Sequence, residues 1–320
     1  MIYAILIVVL FVIMLLYLKV ADHYNIIDKP NERSSHNEVT IRGGGIIFLF
    51  SAIFMFGLHP DFWMPVLGMI VIGVVSFIDD RITLSNKIRL FFHLTAVTLL
   101  FLAVDLFHIY AWYYVVIYYI IAIGIINAYN FMDGINGITG VYTLIIFGGL
   151  QYVNYNVIPF FDPDMIWLPM LACCTFLFFN FRKKAKCFAG DVGSISIAFW
   201  IIFLLLKLII KSENYIYILF LSVYGVDTVL TIIHRMLLKQ NIFKAHRLHF
   251  YQILANDQKW PHLWVAVTYG LMQALIILLV VSASFSSILT IIISLLPLLA
   301  LYIGLKKRLM TINYPETIDK

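Results

Sequence analysis

The sequence predicts an all-α, polytopic integral membrane protein with about 11 transmembrane helices and active-site loops on the cytoplasmic side. Composition is the first ground. Of 320 residues, 62% are apolar and only 12% are charged, about half the charged share of a soluble domain. Run length is the second, because a helix crosses the hydrocarbon with roughly 20 mostly apolar residues. Such runs occupy 2–18, 43–58, 62–78, 88–104, 109–126, 137–153, 165–181, 194–210, 215–233, 263–281 and 285–304. The 43–58 and 62–78 pair is tight, and ten spans is the alternative count.

Charge sidedness is the third. With the N-terminus outside, one face receives Lys29, Arg33, Arg42, Arg81, Lys87, Arg182-Lys183-Lys184, Lys186, Arg235, Lys239, Lys244, Arg247, Lys259 and Lys306-Lys307-Arg308. Only Lys207 and Lys211 fall at the opposite face. The positive-inside rule makes the busy face cytoplasmic, so the net charge of +5 reports topology and does not point to nucleic acid. The first run has no basic leader and no small-residue cleavage site before Lys19, so it reads as a span and not as a cleaved signal peptide. The longest polar stretch, 234–262, is too short to bury its own core, and residues 1–320 are expected to form a single transmembrane domain. Cys173, Cys174 and Cys187 have neither disulfide nor zinc spacing and read as small apolar side chains.

Taken in chain order, the busy-face segments carry the chemistry. Arg42-Gly43-Gly44-Gly45 opens a span. The glycines permit close backbone approach, their amides lie at a helix start where anions are favoured, and Arg42 can fork onto phosphate oxygens. Asp79 and Asp80 are adjacent carboxylates at a membrane boundary, which repel unless a cation offsets them. They point in different directions, so at most one faces a given reaction centre; the plainer reading pairs them with Arg81.

Asn127, Asn130 and Asp133, followed by Gly134, recur at three-residue spacing, which stacks them on one helix face if the helix runs that far. No Lys or Arg lies in that loop, so a divalent ion or a donor N–H is the expected partner of Asp133. Asp191 stands between Gly190 and Gly193, where a carboxylate can approach metal-bound phosphate. Phe188 can stack on a base or anchor the membrane edge. His246 and His249, at i and i+3 around Arg247, would share a helix face and suit phosphate better than zinc. Asp227, a charge within a span, defaults to function or to a structural pair.

These segments together resemble the polyprenyl-phosphate N-acetylhexosamine-1-phosphate transferases. The likeness runs from Arg33-Ser-Ser-His36 to the histidine loop, and it rests on the order, spacing and shared sidedness of the motifs. His246-Arg-Leu-His249-Phe-Tyr-Gln252 looks most like the branch that starts O-antigen chains. One departure is Val39-Thr40-Ile41, where family members commonly show Pro-Thr-Pro, which leaves the rigidity of that loop open.

The resemblance implies a UDP-sugar donor, undecaprenyl phosphate as acceptor, Mg²⁺ or Mn²⁺, release of UMP, and a bacterial inner-membrane location. A homodimer is a further family-level expectation. By the same resemblance, Asp191 would be the main metal ligand, with Asn130 a second. Asp133 and Gly134 would hold the nucleotide, and Phe188 would stack on uracil. Asp79, with Asp80 beside it, would position or deprotonate the lipid phosphate. His246, Arg247 and His249 would grip donor phosphates, and Arg42 and Asn127 complete the binding set. UDP-N-acetylglucosamine is the default donor, with UDP-N-acetylfucosamine and UDP-N-acetylquinovosamine as alternatives. The rival class is a secondary transporter, which would place charges near the bilayer midplane and between repeats.

Overall fold

A computed structural model describes residues 2–30, 35, 38–242, 246–282 and 285–310. The expectations for Arg33, His36 and Lys244 lie outside the described residues. The helices are α1 (Ile2–His23), α2 (Ile47–Leu58), α3 (Trp63–Arg81), α4 (Asn86–Ala103), α5 (Leu106–Ile109), α6 (Trp112–Met132), α7 (Ile138–Asn156), α8 (Asp164–Asn180), α9 (Gly190–Ser212), α10 (Ser222–Leu237), α11 (Phe250–Gln252), α12 (His262–Ser282) and α13 (Ser287–Leu309). Each predicted apolar run falls on one of the longer helices. Among the described residues, eight helical segments are long and apolar enough to cross a membrane, while Gly44–Leu58 and Asp164–Asn180 are apolar but shorter.

The bundle is built around α9. Its sequence is apolar on all sides, and such a helix must be enclosed by others. Accordingly 83% of its apolar window is buried, against 17–56% in the other candidate spans. Close approach to it needs small residues, as at other helix contacts in lipid. Gly68 of α3 faces Phe199, and Gly73 faces Ser196.

The two ends of the bundle differ in kind. At one end Tyr3 and His59 meet Asp164, His59 also meets Asp162, and Lys207 lies over the Phe161 ring. At the other end Arg42, Asp79, Asp80, Asn130, Asp191 and the histidine loop collect. The predicted sidedness of the polar segments is therefore met in space.

The small sheet at the polar end answers the missing prolines. Strand β1 (Ile27–Asp28) pairs antiparallel with β2 (Thr40–Ile41), matching Ile27 with Ile41 and Asp28 with Thr40. Ile41 also bridges to Cys187, and the Phe188 N–H donates to the Ile41 carbonyl at 2.8 Å. Backbone pairing thus fixes the segment in place of ring constraint. The Cys187 thiol is buried there, and burial pushes it up to about 12, as the inert reading of the cysteines requires.

Candidate active site

The glycine triplet places Arg42 against Asp191, but not in the way the helix-start argument expects. The Gly44 and Gly45 N–H groups donate to the carbonyls of Phe188 (2.8 Å) and Ala189 (3.0 Å). Those amides are therefore committed to the protein and are not an anion cradle. The triplet seams the start of α2 to the start of α9. Gly190 sits there at φ +70°, a region that penalises side chains, and a Cβ on it would come within 2.5 Å of Asp80 Oδ2.

Asp80 is the buried centre of this end, with a side chain 1% exposed. Its oxygens accept the N–H groups of Asp191 (3.2 Å) and Val192 (3.3 Å), satisfying the first donors of α9. The Arg42 guanidinium lies 2.6 Å from Asp80 and 3.2 Å from Asp191. Burial works against the Arg42 charge, but the two carboxylates outweigh it and raise its pKa above the usual value. Asp80 therefore acts as a helix cap and an arginine anchor.

A cavity of about 270 Å³ opens beside this pair, lined by Arg42, Asn130, Asp133, Gly134, Phe188 and Asp191, with Asp28, Asn180, Gln252 and His262 completing its polar wall. Helix α6 ends at Met132, so Asp133 is not on the helical face predicted for it. It caps the helix and still reaches the cavity. Burial raises the Asp133 carboxyl to about 6, with Asp191 adding to the rise. Gly134 leaves room for Tyr251, whose hydroxyl would lie 2.1 Å from a Cβ there and which donates to the Phe131 carbonyl.

Two asparagines brace the cavity: Asn180, which carries no signal in the sequence, and Asn136, whose Asn-Gly pair reads as a turn. Asn180 accepts the Gly137 N–H at 2.7 Å and donates to the Cys187 carbonyl at 2.8 Å. Asn136 donates to the carbonyls of Arg182 and Lys183. By contrast, the basic cluster Arg182–Lys186 does not line this cavity. Arg182 folds back over Phe178, and Lys184 pairs with Glu38, which favours the topological reading of those charges.

A second cavity of about 540 Å³ shares Asn130 and Gln252 with the first. Its polar end holds Asp79, Asn86, Arg89, His93, Asn127, His246 and His249, and its apolar flank holds Leu90, Ile123 and Ile195. Asn127 thus shares this cavity with Asn130 but parts from Asp133, and its amide donates to the Ile123 carbonyl. Asp79 accepts the Leu84 N–H at 2.6 Å and pairs with Arg89 at 3.2 Å, while Arg81 donates instead to the carbonyls of Tyr24 and Asn25. Arg89 went unnoticed in the sequence because it lies inside an apolar run.

The histidine loop is not helical at His246; its helix begins at Phe250, with His249 as the N-cap. The two imidazoles nevertheless lie side by side, with centroids 4.8 Å apart and planes tilted by 33°. Burial lowers His246 to about 3, aided by His249 and Arg235, and its Nδ1 accepts the Leu248 N–H. Arg247 is half-buried on the same loop and lines neither cavity.

A hard-oxygen donor set is present where a divalent ion was expected. Asp191 and the Asn130 amide meet at the wall of the smaller cavity, with Asp80 and Asp133 near and Arg42 as the facing cation. Mg²⁺ is commonly held by one or two carboxylates plus substrate phosphates and water, so this set fits. Among the described residues, the tight metal-spaced group His59, Asp162 and Asp164 lies at the far end of the bundle. Both of its imidazole nitrogens already face carboxylates, and it has no part in this site.

Residues 62–209 match the family described as Glycosyl transferase family 4, a stretch that contains Asp79, Asp80, Asn130, Asp133 and Asp191. The chain is 26% identical over 259 residues to a probable undecaprenyl-phosphate N-acetylglucosaminyl 1-phosphate transferase of Bacillus subtilis, covering 74% of this chain and 71% of that protein. It is 27% identical to the phospho-N-acetylmuramoyl-pentapeptide-transferase of Thermotoga neapolitana, covering 76% and 85%. To the undecaprenyl-phosphate alpha-N-acetylglucosaminyl 1-phosphate transferase of Salmonella typhi it is 31% identical, covering 59% and 57%. With its helical bundle and its acidic polar end, the chain is similar to polyprenyl-phosphate sugar-1-phosphate transferases, and its candidate spans are those of a multi-pass membrane protein.

Proposed function

We propose that the protein transfers an N-acetylhexosamine-1-phosphate from a UDP-sugar to undecaprenyl phosphate, releasing UMP. The observation that carries this reading is the pair of cavities meeting at Asn130 and Gln252. The smaller is lined by acids and amides beside Arg42, and the larger joins cationic groups to an apolar flank. The donor nucleotide takes the smaller cavity, with Phe188 against the base, Asp133 and Gly134 at its edge, and Arg42 toward the diphosphate. The acceptor phosphate takes the larger, facing Arg89, His246 and His249, while Leu90, Ile123 and Ile195 meet the start of its hydrocarbon chain. Asp191 and Asn130 would hold Mg²⁺ or Mn²⁺, which when bound supplies charge neutralisation at the diphosphate oxygens.

An oxygen of the lipid phosphate forms a bond to the donor's β-phosphorus. The bond from that phosphorus to the bridging oxygen breaks, and UMP leaves with the electron pair. The acceptor's second pKa is about 6, so it arrives largely dianionic and needs little general-base help. Asp79 agrees with this: its oxygens face the Leu84 N–H and Arg89, so its part is to position Arg89. The protein's own work is alignment and fixed positive charge.

Basic-residue sidedness supports a cytoplasmic position for the cavities, and a bacterial inner membrane is the proposed location. UDP-N-acetylglucosamine is the proposed donor, because the names of the B. subtilis and S. typhi relatives specify an N-acetylglucosaminyl 1-phosphate group. UDP-N-acetylfucosamine and UDP-N-acetylquinovosamine are the alternatives, and the product would start an O-antigen or related envelope polysaccharide.

Purified protein given undecaprenyl phosphate and each UDP-sugar in turn is expected to release UMP with one of them, and EDTA should stop it. Silence with every donor, or turnover indifferent to EDTA, would refute the reading. Arg89→Gln is expected to raise KM for the lipid phosphate about 10-fold or more, the scale of a hydrogen bond to a charged group, with the donor KM little changed. An unchanged acceptor KM would remove Arg89 from that role.

A further inference from the structure

Asp227 is a charge inside α10 that the proposed reaction leaves unused. Its side chain is almost wholly enclosed, with the residue 3% exposed. One carboxylate gathers much of the histidine loop: Oδ1 accepts the Phe250 N–H at 2.8 Å, and Oδ2 accepts the Tyr251 N–H at 3.3 Å and the Tyr269 hydroxyl at 2.7 Å. Thr231, one turn along α10, donates to Oδ1 from its hydroxyl at 3.2 Å. His249 Nδ1 lies 3.5 Å from the same Oδ1.

His249 itself is 2% exposed and borders the larger cavity, and both of its ring nitrogens are buried with no hydrogen-bond partner among the described residues, Nδ1 standing at the limit of reach from Asp227 and Nε2 free of any such neighbour. An enclosed polar atom without a partner costs about 1–3 kcal/mol, so such an atom beside a cavity points to a ligand that completes it.

We propose that Asp227 is the positioning residue for His249: it accepts from the Nδ1–H edge of the ring, so that the imidazole, carrying a proton on each nitrogen when phosphate is bound, donates from Nε2–H to a phosphate oxygen in the larger cavity. The inference rests on the phosphate-transfer reading of that cavity. It assigns the α10 carboxylate a role at one remove from substrate, exerted through a single imidazole. The two backbone bonds set where the ring stands, and the Nδ1 contact sets which nitrogen faces inward. Neither Arg235 nor Lys306 pairs with the carboxylate. Arg235 donates to Gln240 and to the carbonyls of Asn241 and Ile242, and Lys306 donates to Thr231 and Tyr302.

The test is a double-mutant cycle on UMP release, joined to a spectroscopic readout that needs no turnover. Asp227→Asn and His249→Asn are each expected to lower kcat/KM on the order of 100-fold, the low end for a positioned acid–base group. The double variant should be little worse than either alone, because the two act as one unit. Losses that multiply would overturn the link and leave Asp227 a separate structural post.

In wild-type protein with ¹⁵N-labelled histidine, the resonance lost in His249→Asn should report a proton on Nδ1, and inorganic phosphate should shift its Nε2 signal. A bare Nδ1, or an Nε2 indifferent to phosphate, would equally sink the proposal, and this holds even if Asp227→Asn fails to fold. If wild-type protein releases no UMP from any donor, the reaction reading fails, while the nitrogen spectra still decide the Asp227–His249 link.

Discussion

Asp191→Asn is expected to abolish UMP release, with kcat falling on the order of 1,000-fold, as when one preorganised electrostatic partner is removed from a transition state. The substitution keeps shape and volume and removes one negative charge from the wall of the smaller cavity. The fold should persist, because the 2.6 Å Arg42–Asp80 pair and the bonds from the Asp191 and Val192 N–H groups to Asp80 do not involve the Asp191 carboxylate. Relieving repulsion between two enclosed carboxylates should if anything raise the melting temperature. Metal dependence supplies the second readout. Mg²⁺ with UMP should stabilise wild-type protein against heat, since a ligand that binds only the folded state shifts the equilibrium, and the variant should lose that gain. Near wild-type turnover in Asp191→Asn would exclude it as the main ligand, whatever the melting curve shows.

Much of this architecture could be read from residues because each signal was local. Apolar runs located the longer helices, and charge asymmetry brought Asp79–Asp80, Asn127–Gly134, Phe188–Asp191 and His246–His249 to one end. Competition between partners was not local. A helix start offers free N–H groups, yet at Gly44 and Gly45 the carbonyls of Phe188 and Ala189 took them, and nothing in the triplet announces those acceptors. Adjacent residues on a helix diverge by about 100°, so Asp79 and Asp80 had to face different surroundings. Which one met Arg42 depended on where β2 delivered that arginine. Arg89 was hidden by the hydropathy of Leu90 to Ala103, which let one cation pass as part of a span. His246 and His249 have helical spacing without a helix, because Asp227 binds the N–H groups of Phe250 and Tyr251 and the first turn begins only there.

The seam that delivers Arg42 gives the second large prediction, and it concerns a residue with no side chain. A Cβ on Gly45 would stand 2.1 Å from Gly193 Cα, 2.7 Å from Gly193 N and 2.8 Å from the Ala189 carbonyl oxygen. All three are backbone atoms, so no rotamer change relieves the contact, and the start of α2 must move off the start of α9. Overpacking of this kind costs about 1–3 kcal/mol. The Gly44 and Gly45 bonds to Phe188 and Ala189 would weaken with it, adding about 1 kcal/mol each. Arg42 lies three residues before the clash and Asp191 two residues before its partner, so their 3.2 Å contact would open as well. Gly45→Ala is therefore expected to lower the melting temperature by several degrees and UMP release by more than about 100-fold, since small misplacement near the chemistry carries costs of that size. Gly148→Ala is the control. Nothing lies within 4 Å of a Cβ built there, and alanine is the better helix former, so activity should hold and stability should not fall. A Gly45→Ala protein that melts and turns over like wild type would mean that the α2–α9 seam does not set the distance between Arg42 and Asp191.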